Sequence, residues 1–86
     1  MYKPILFKKA ANYYKNLDVK SAQRINKAIE KMIGNPVEGP HIKRLKGQLQ
    51  GKYRYAVGDL RIVYRVDSEK KAFLILAIGP RGDIYK

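Results

Sequence analysis

The sequence predicts an α+β domain: an N-terminal strand, a two-helix hairpin, then a three-stranded antiparallel meander, with the helices packed on one sheet face. Three observations carry that reading. Two alternating runs, Lys52–Val57 and Leu60–Val66, flank the turn signal Gly58-Asp59. Two apolar stripes at helical spacing lie between residues 8 and 33, and a continuous apolar run, Ala72–Ile78, follows the hairpin.

Tyr2–Phe7 is short, apolar and closed by Lys8-Lys9, a strand that Pro4 directs to the sheet edge because proline lacks a ladder N–H. Ala10, Tyr13, Tyr14 and Leu17 then fall at the i, i+3, i+4, i+7 spacing of a helix starting at Lys8, which the Asn16-Leu17-Asp18 break ends. Asp18 caps a second helix with the stripe Ala22, Ile25, Ile29, Met32 and Ile33, stopped by Gly34-Asn35-Pro36. A small chain needs every apolar face for its core, so both stripes are read as covering the sheet. Lys15, Lys20, Lys27 and Lys31 lie off the stripes and are read as solvated charges. Val37–Gly51, marked by Gly39, Pro40 and Gly47, is read as loop, and its His41, the one histidine of the chain, as a bystander. Ser68-Glu69-Lys70-Lys71 turns the chain into Ala72–Ile78, a strand buried on both faces. Gly79-Pro80-Arg81-Gly82 ends that strand and leaves Asp83-Ile84-Tyr85-Lys86 as a short terminus. The place of the first strand in the sheet stays open.

With Gly58 and Asp59 as the loop residues, Val57 faces Leu60, and counting back pairs Ala56 with Arg61, Tyr55 with Ile62, Arg54 with Val63, Tyr53 with Tyr64 and Lys52 with Arg65. Side chains alternate along a strand, so Tyr53, Tyr55, Val57, Leu60, Ile62, Tyr64 and Val66 share a core face. Lys52, Arg54, Arg61 and Arg65 share the other. Like charges gathered on one sheet face are mildly destabilising, and nucleic-acid phosphate would offset them. An ordinary solvated face, with arginine stems covering neighbours such as Val63, is the competing reading.

Eighty-six residues are expected to form one domain, 1–86. Without cysteine there is no disulfide framework and no Cys-based zinc site. No apolar run approaches membrane-spanning length and no cleavable signal pattern opens the chain, so a cytoplasmic protein without a membrane partner is expected. The net charge of +12 favours a polyanionic partner, nucleic acid or an acidic protein segment. Residues 1–42 carry 8 cations and 3 acids and residues 43–86 carry 11 and 4, so the excess does not belong to one half. Lys43, Arg44, Lys46, Lys52 and Arg54 form an acid-free run leading into the hairpin's cationic face, and with Arg65 they are the candidate RNA contacts.

The element order, Leu45-Lys46-Gly47, Tyr53–Tyr64 with its Gly-Asp-x-Arg-Ile-Val-Tyr core, and Pro80-Arg81-Gly82-Asp83-Ile84-Tyr85 resemble the RelE family of toxins from toxin–antitoxin systems. The likeness covers nearly the whole chain and is most specific over Tyr53–Tyr64. It implies a RelE-like fold and a type II toxin, an endoribonuclease that cleaves messenger RNA in the ribosomal A site without a metal or cofactor. It also implies a cognate antitoxin with an acidic or amphipathic tail that wraps the toxin. ParE-like gyrase inhibitors share the fold, so a non-enzymatic gyrase poison is the alternative, and a basic nucleic-acid-binding module is a third. By this resemblance Arg61 corresponds to the arginine that stabilises charge on the scissile phosphate and Arg81 to a second arginine near the leaving 5′ oxygen. Tyr85 is similar to a C-terminal tyrosine that stacks on or orients the nucleotide, although a terminal aromatic that packs back on the domain fits the sequence equally well. Arg54 falls where some members carry the first of two strand lysines, and the second position is Ala56 here, a departure that leaves Lys52 or Lys46 as substitutes.

The chemistry agrees with the composition. Cleaving RNA through its own 2′-OH needs an in-line nucleophile, stabilised charge on the phosphate and a proton for the departing oxygen. With one histidine, seven acids and no metal-ligand spacing, the chain is rich only in the cations that suit the second task.

Overall fold

The computed structural model describes residues 1–82. Strand β1 (Lys3–Leu6) leads into helices α1 (Lys8–Lys15) and α2 (Val19–Gly34), followed by β2 (Ile42–Arg44), a 3-10 turn at Gly47–Leu49, β3 (Tyr53–Val57), β4 (Leu60–Asp67) and β5 (Ala72–Pro80). The strands make one five-stranded sheet in the order β1-β5-β4-β3-β2, with β1 parallel to β5 and all other pairs antiparallel.

The β3–β4 register is the one the sequence predicts, Val57 opposite Leu60 through Tyr53 opposite Tyr64. Its turn depends on Gly58, whose φ of 58° lies in the left-handed region, while Asp59 keeps a negative φ. Those signs match a II′ hairpin turn, which puts glycine first. Asp18 caps α2 as expected, its carboxylate accepting from the Ser21 N–H at 3.2 Å. Hydrogen bonding from the Ser21 side chain, and then from this backbone N–H, holds the Asp18 carboxyl below the usual carboxylate range.

Two features differ from the sequence reading. Val37–Gly51 is not all loop, because residues 42–44 pair antiparallel with 53–55 and add a strand outside the meander. Three residues with one apolar side chain carry no periodicity, so β2 exists only by virtue of the β3 edge it joins. The Gly79-Pro80 break also comes late: β5 runs through Pro80, which sits opposite Leu60. Pro4 does lie on an edge strand, and β5 is an interior strand, flanked by β1 and β4.

The helices cover the face bearing Tyr53, Tyr55, Ile62 and Tyr64. Ala10, Ile25, Ala28 and Met32 from the helices meet Tyr55, Ile62, Tyr64, Phe73, Ile75 and Ile78 from the sheet in one buried cluster. Tyr64 is its centre, stacked on Tyr53 with ring centroids 5.6 Å apart and edge-on to Phe73 at 6.1 Å. Its hydroxyl donates to the Pro36 carbonyl at 2.7 Å, tying the chain just past α2 to the middle of the sheet. Burial, with lesser contributions from Tyr53 and Tyr55, pushes the Tyr64 phenol well above its ordinary value.

Tyr64→Phe removes that donor and leaves the Pro36 carbonyl without its partner, so unfolding at neutral pH should become easier by about 1–3 kcal/mol. The native state holds the Tyr64 proton more tightly than the unfolded chain does. Its contribution is therefore complete below about pH 10 and is lost as pH rises beyond it. Urea unfolding across that range should show a shallower alkaline decline in Tyr64→Phe than in the wild type.

Candidate nucleic-acid interface

Among the described residues, no helix lies on the opposite sheet face. The registers place Lys43 of β2, Arg54 and Ala56 of β3, Arg61, Val63 and Arg65 of β4, and Leu74, Ala77 and Gly79 of β5 on this side. Val63 and Ala77 are nonetheless buried, at 6% and 7% exposure, though neither belongs to the core cluster. Val63 lies opposite Arg54 and two residues from both Arg61 and Arg65, so their aliphatic stems lie around it. The three arginines thus stand round an apolar floor.

Arg61 is not left in an open gap beside Ala56 as its position alone suggests. Its Nη1 donates to the Gly58 carbonyl at 2.8 Å and the Leu60 carbonyl at 2.9 Å, which curls the guanidinium against the hairpin turn. Arg81 comes to the same place from the other side, its backbone N–H donating to the Asp59 carbonyl at 2.9 Å. The β3–β4 turn therefore joins Arg61 and Arg81, which are distant in sequence. Arg54 is diagonal to Arg61 across β3–β4, and its Nη1 donates to the His41 carbonyl at 3.1 Å. His41 also accepts the Ala56 N–H at 3.0 Å, so its backbone has a structural part while its ring lies 5.6 Å from Tyr55.

Lys43 sits directly opposite Arg54 and extends the cationic row onto β2. Arg44 does not join it: it projects to the other face, its Cζ 5.8 Å from the Tyr53 ring centroid. There Arg44 lines a pocket of about 540 Å³ together with Lys46, Gly47, Gln50, Lys52 and Tyr53, on the loop between β2 and β3. A neighbouring pocket of about 400 Å³ is bordered by Lys43, Lys46, Leu49 and Arg54 and connects that loop to the sheet face. Arg65 shares the face but lies toward the end where Asp67 meets Ala72. Tyr85 lies outside the described residues. Among the described residues no three His, Asp or Glu side chains converge as a metal site would require, and no helix is long and apolar enough to cross a membrane. Sequence reasoning missed the Lys43–Arg54 pairing, because it follows from β2.

A family model described as "ParE toxin of type II toxin-antitoxin system, parDE" matches residues 7–85. The chain is a toxin of the RelE/ParE family of type II toxin–antitoxin systems. Solved structures agree with this fold. The toxin aligns with a chain of a RelBE toxin–antitoxin complex from Mycobacterium tuberculosis at a TM-score of 0.82 and 22% identity, covering 93% of this chain and 98% of that one. It aligns with the archaeal RelE–RelB complex of Pyrococcus horikoshii at a TM-score of 0.78 and 26% identity, covering 94% and 96%. A YoeB dimer from Staphylococcus aureus gives a TM-score of 0.73 and 26% identity over 88% and 92%. No curated protein sequence matches the toxin.

The turn that holds Arg61 and Arg81 together rests on Gly58. Gly58→Ala should cost about 1–2 kcal/mol for the left-handed conformation alone, and a Cβ there would meet Arg24 Nη1 at 3.3 Å. Thermal melts should show this loss, with the hairpin amide resonances shifting before those of the helices.

Proposed function

We propose that this toxin is a metal-independent endoribonuclease that cleaves messenger RNA in the ribosomal A site and so inhibits translation. The observation that carries the reading is the grouping of Arg54, Arg61 and Arg81 at one end of an uncovered sheet face, around the turn that positions two of them. The solved RelE chain at 26% identity supports the same branch.

In this reading the RNA 2′ oxygen attacks the adjacent phosphorus as it loses its proton, an O2′–P bond forms, and the P–O5′ bond breaks with a proton going to the departing 5′ oxygen. Arg61 meets the charge that builds on the phosphate. Its Nη1 is already held by two carbonyls, so the guanidinium is oriented before substrate arrives and Nε and Nη2 are left to face the phosphate. Arg81 stands beside the leaving oxygen and Arg54 contributes from the next strand. Tyr85 stacks on or orients the nucleotide. Lys43, Lys46, Lys52 and Arg65 hold flanking phosphates, with Arg44 at the margin. Ala56 presents no amine opposite Arg61, so proton abstraction falls to one of the lysines bordering the face. Lys43, placed across from Arg54 by β2, joins Lys46 and Lys52 in that set.

The matched family description favours a second reading, inhibition of DNA gyrase without catalysis. Mapping transcript 5′ ends after inducing the toxin separates the two. Cuts phased with codons support the ribonuclease, whereas intact transcripts with gyrase-linked DNA breaks support the inhibitor.

Arg61→Ala should lower ribosome-dependent cleavage by roughly 10² or more with little effect on thermal stability, and Arg61→Lys should recover little, because an ammonium lacks the bidentate geometry. Arg65→Ala, on the same face but far from the turn, should weaken cleavage only a few-fold. Equal losses at both positions would reduce the site to a generic basic patch.

The partner in this reading is a cognate antitoxin with an acidic or amphipathic tail, since the M. tuberculosis and P. horikoshii neighbours are toxin–antitoxin complexes. Charge complementarity acts mainly on the association rate. Stopped-flow mixing should therefore show association slowing steeply as salt rises, and an association rate insensitive to salt would contradict a charge-led encounter.

A further inference from the structure

The helical side of the molecule carries a second cationic surface that the proposed site does not use. Lys20, Arg24, Lys27 and Lys31 are all exposed on α2. At 100° per residue they fall within an arc of about 60°, a straight stripe on the flank of the helix beside its buried residues. With a rise of 1.5 Å per residue the stripe is about 16 Å long. Glu30, the acid of this helix, lies about 90° round from it. Arg24, Lys27 and Lys31 form one wall of a groove of about 230 Å³ whose other wall is His41 and the chain from Tyr55 to Gly58, and among the described residues no acidic side chain lines it. The stripe also reaches the hairpin turn, because Arg24 Nη1 lies 3.3 Å from where a Gly58 Cβ would stand, while Arg61 grips the Gly58 carbonyl. The two cationic surfaces meet at that turn.

We infer that the α2 stripe is a docking surface for the phosphate backbone of structured, double-helical RNA, separate from the sheet face that takes the cleaved strand. Charge and shape favour this occupant over an acidic protein helix. A helical partner needs apolar or aromatic anchors, and the apolar side chains in this groove are the small Ala28, Ala56 and Val57 beside a buried Tyr55. Among the described residues the exposed large apolar ones, Met1, Ile5, Leu6, Phe7 and Val19, lie between the N-terminus and the start of α2 and do not line it. A phosphate backbone needs no such anchor, only a row of cations with little acid nearby. The inference rests on the reading of the toxin as RNA-directed, but its measurement is binding and not cleavage.

The test uses the full chain with all four stripe residues changed to glutamine, K20Q/R24Q/K27Q/K31Q, which keeps helix propensity. A charge-matched control, K8Q/K9Q/K15Q/K70Q, removes four exposed cations elsewhere. The probe is a fully 2′-O-methylated RNA hairpin, which cannot be cut through its 2′ position, titrated by fluorescence anisotropy from about 50 to 200 mM KCl. The stripe variant should lose about 10- to 100-fold in affinity near 100 mM salt, with the log–log salt slope shallower by about 3 to 4. The control should stay within a few-fold of wild type. Circular dichroism checks that α2 is intact, and if the fourfold variant fails to fold, K27Q/K31Q should still flatten the slope by nearly 2. Equal losses in stripe variant and control would overturn the inference, as would wild-type hairpin binding by the stripe variant. Retained hairpin binding with lost binding to poly-L-glutamate would assign the stripe to an acidic protein instead. Arg61→Ala in parallel keeps the two readings apart: a wild-type chain that binds the hairpin through the stripe yet cuts no message leaves the docking surface standing and removes the ribonuclease.

Discussion

The β3–β4 register decides which side of this sheet is oily and which is charged. Because side chains alternate with a period of two, a slip of one residue would turn Tyr55, Ile62 and Tyr64 to solvent and drive Arg54, Arg61 and Arg65 beneath the helices. The Gly58-Asp59 turn sets that register, and Tyr64 locks it from the core side through Pro36. Helix packing, the position of β2 and the shape of the cationic face all follow from this pairing. A buried hydroxyl bonded to a carbonyl from another element favours one arrangement, since any slip would leave both groups unpaired.

The uncovered face is tolerable because it is not built from charge alone. Neighbouring guanidinium groups repel, and on a sheet that repulsion works against folding. Water and salt screen the charged ends, while Val63 and Ala77 on the same face are out of water. Arg54 and Arg61 each hold a backbone carbonyl as well. The same contacts that make the row of cations bearable also limit the freedom of its members, which lowers the ordering that a bound phosphate would otherwise have to impose.

Much of this was legible in the residues. Alternation around Gly58-Asp59 fixed strand pairing and facing to the residue, and the stripes ending at Asn16-Leu17-Asp18 and Gly34-Asn35-Pro36 placed both helices. Locally encoded features have a local signal. What could not be read was set by partners remote in sequence. Ile42–Arg44 has no pattern of its own and becomes a strand on β3, which brings Lys43 opposite Arg54 and turns Arg44 over Tyr53. The parallel union of β1 with β5 was likewise invisible, since nothing near Pro4 names its neighbour. For the site, the sequence put Arg61 on the right face, but the fold of its side chain onto Gly58 depends on carbonyls whose direction only the turn geometry supplies.

The strand order has a consequence for how the molecule comes into being. β5, an interior strand, is the last strand to be made, and β1, the first, hydrogen-bonds only to it, Lys3 beside Ala72 and Leu6 beside Ile75. During synthesis at about 5–20 residues per second, the early strand must wait without a hydrogen-bonded partner, and the helices without the Phe73, Ile75 and Ile78 part of their core, until β5 arrives. Such non-local closure is slow by its topology. Arg61 lies on β4, between a hairpin partner already present and a neighbour not yet emerged, so the cationic face is completed only when β5 pairs with β4.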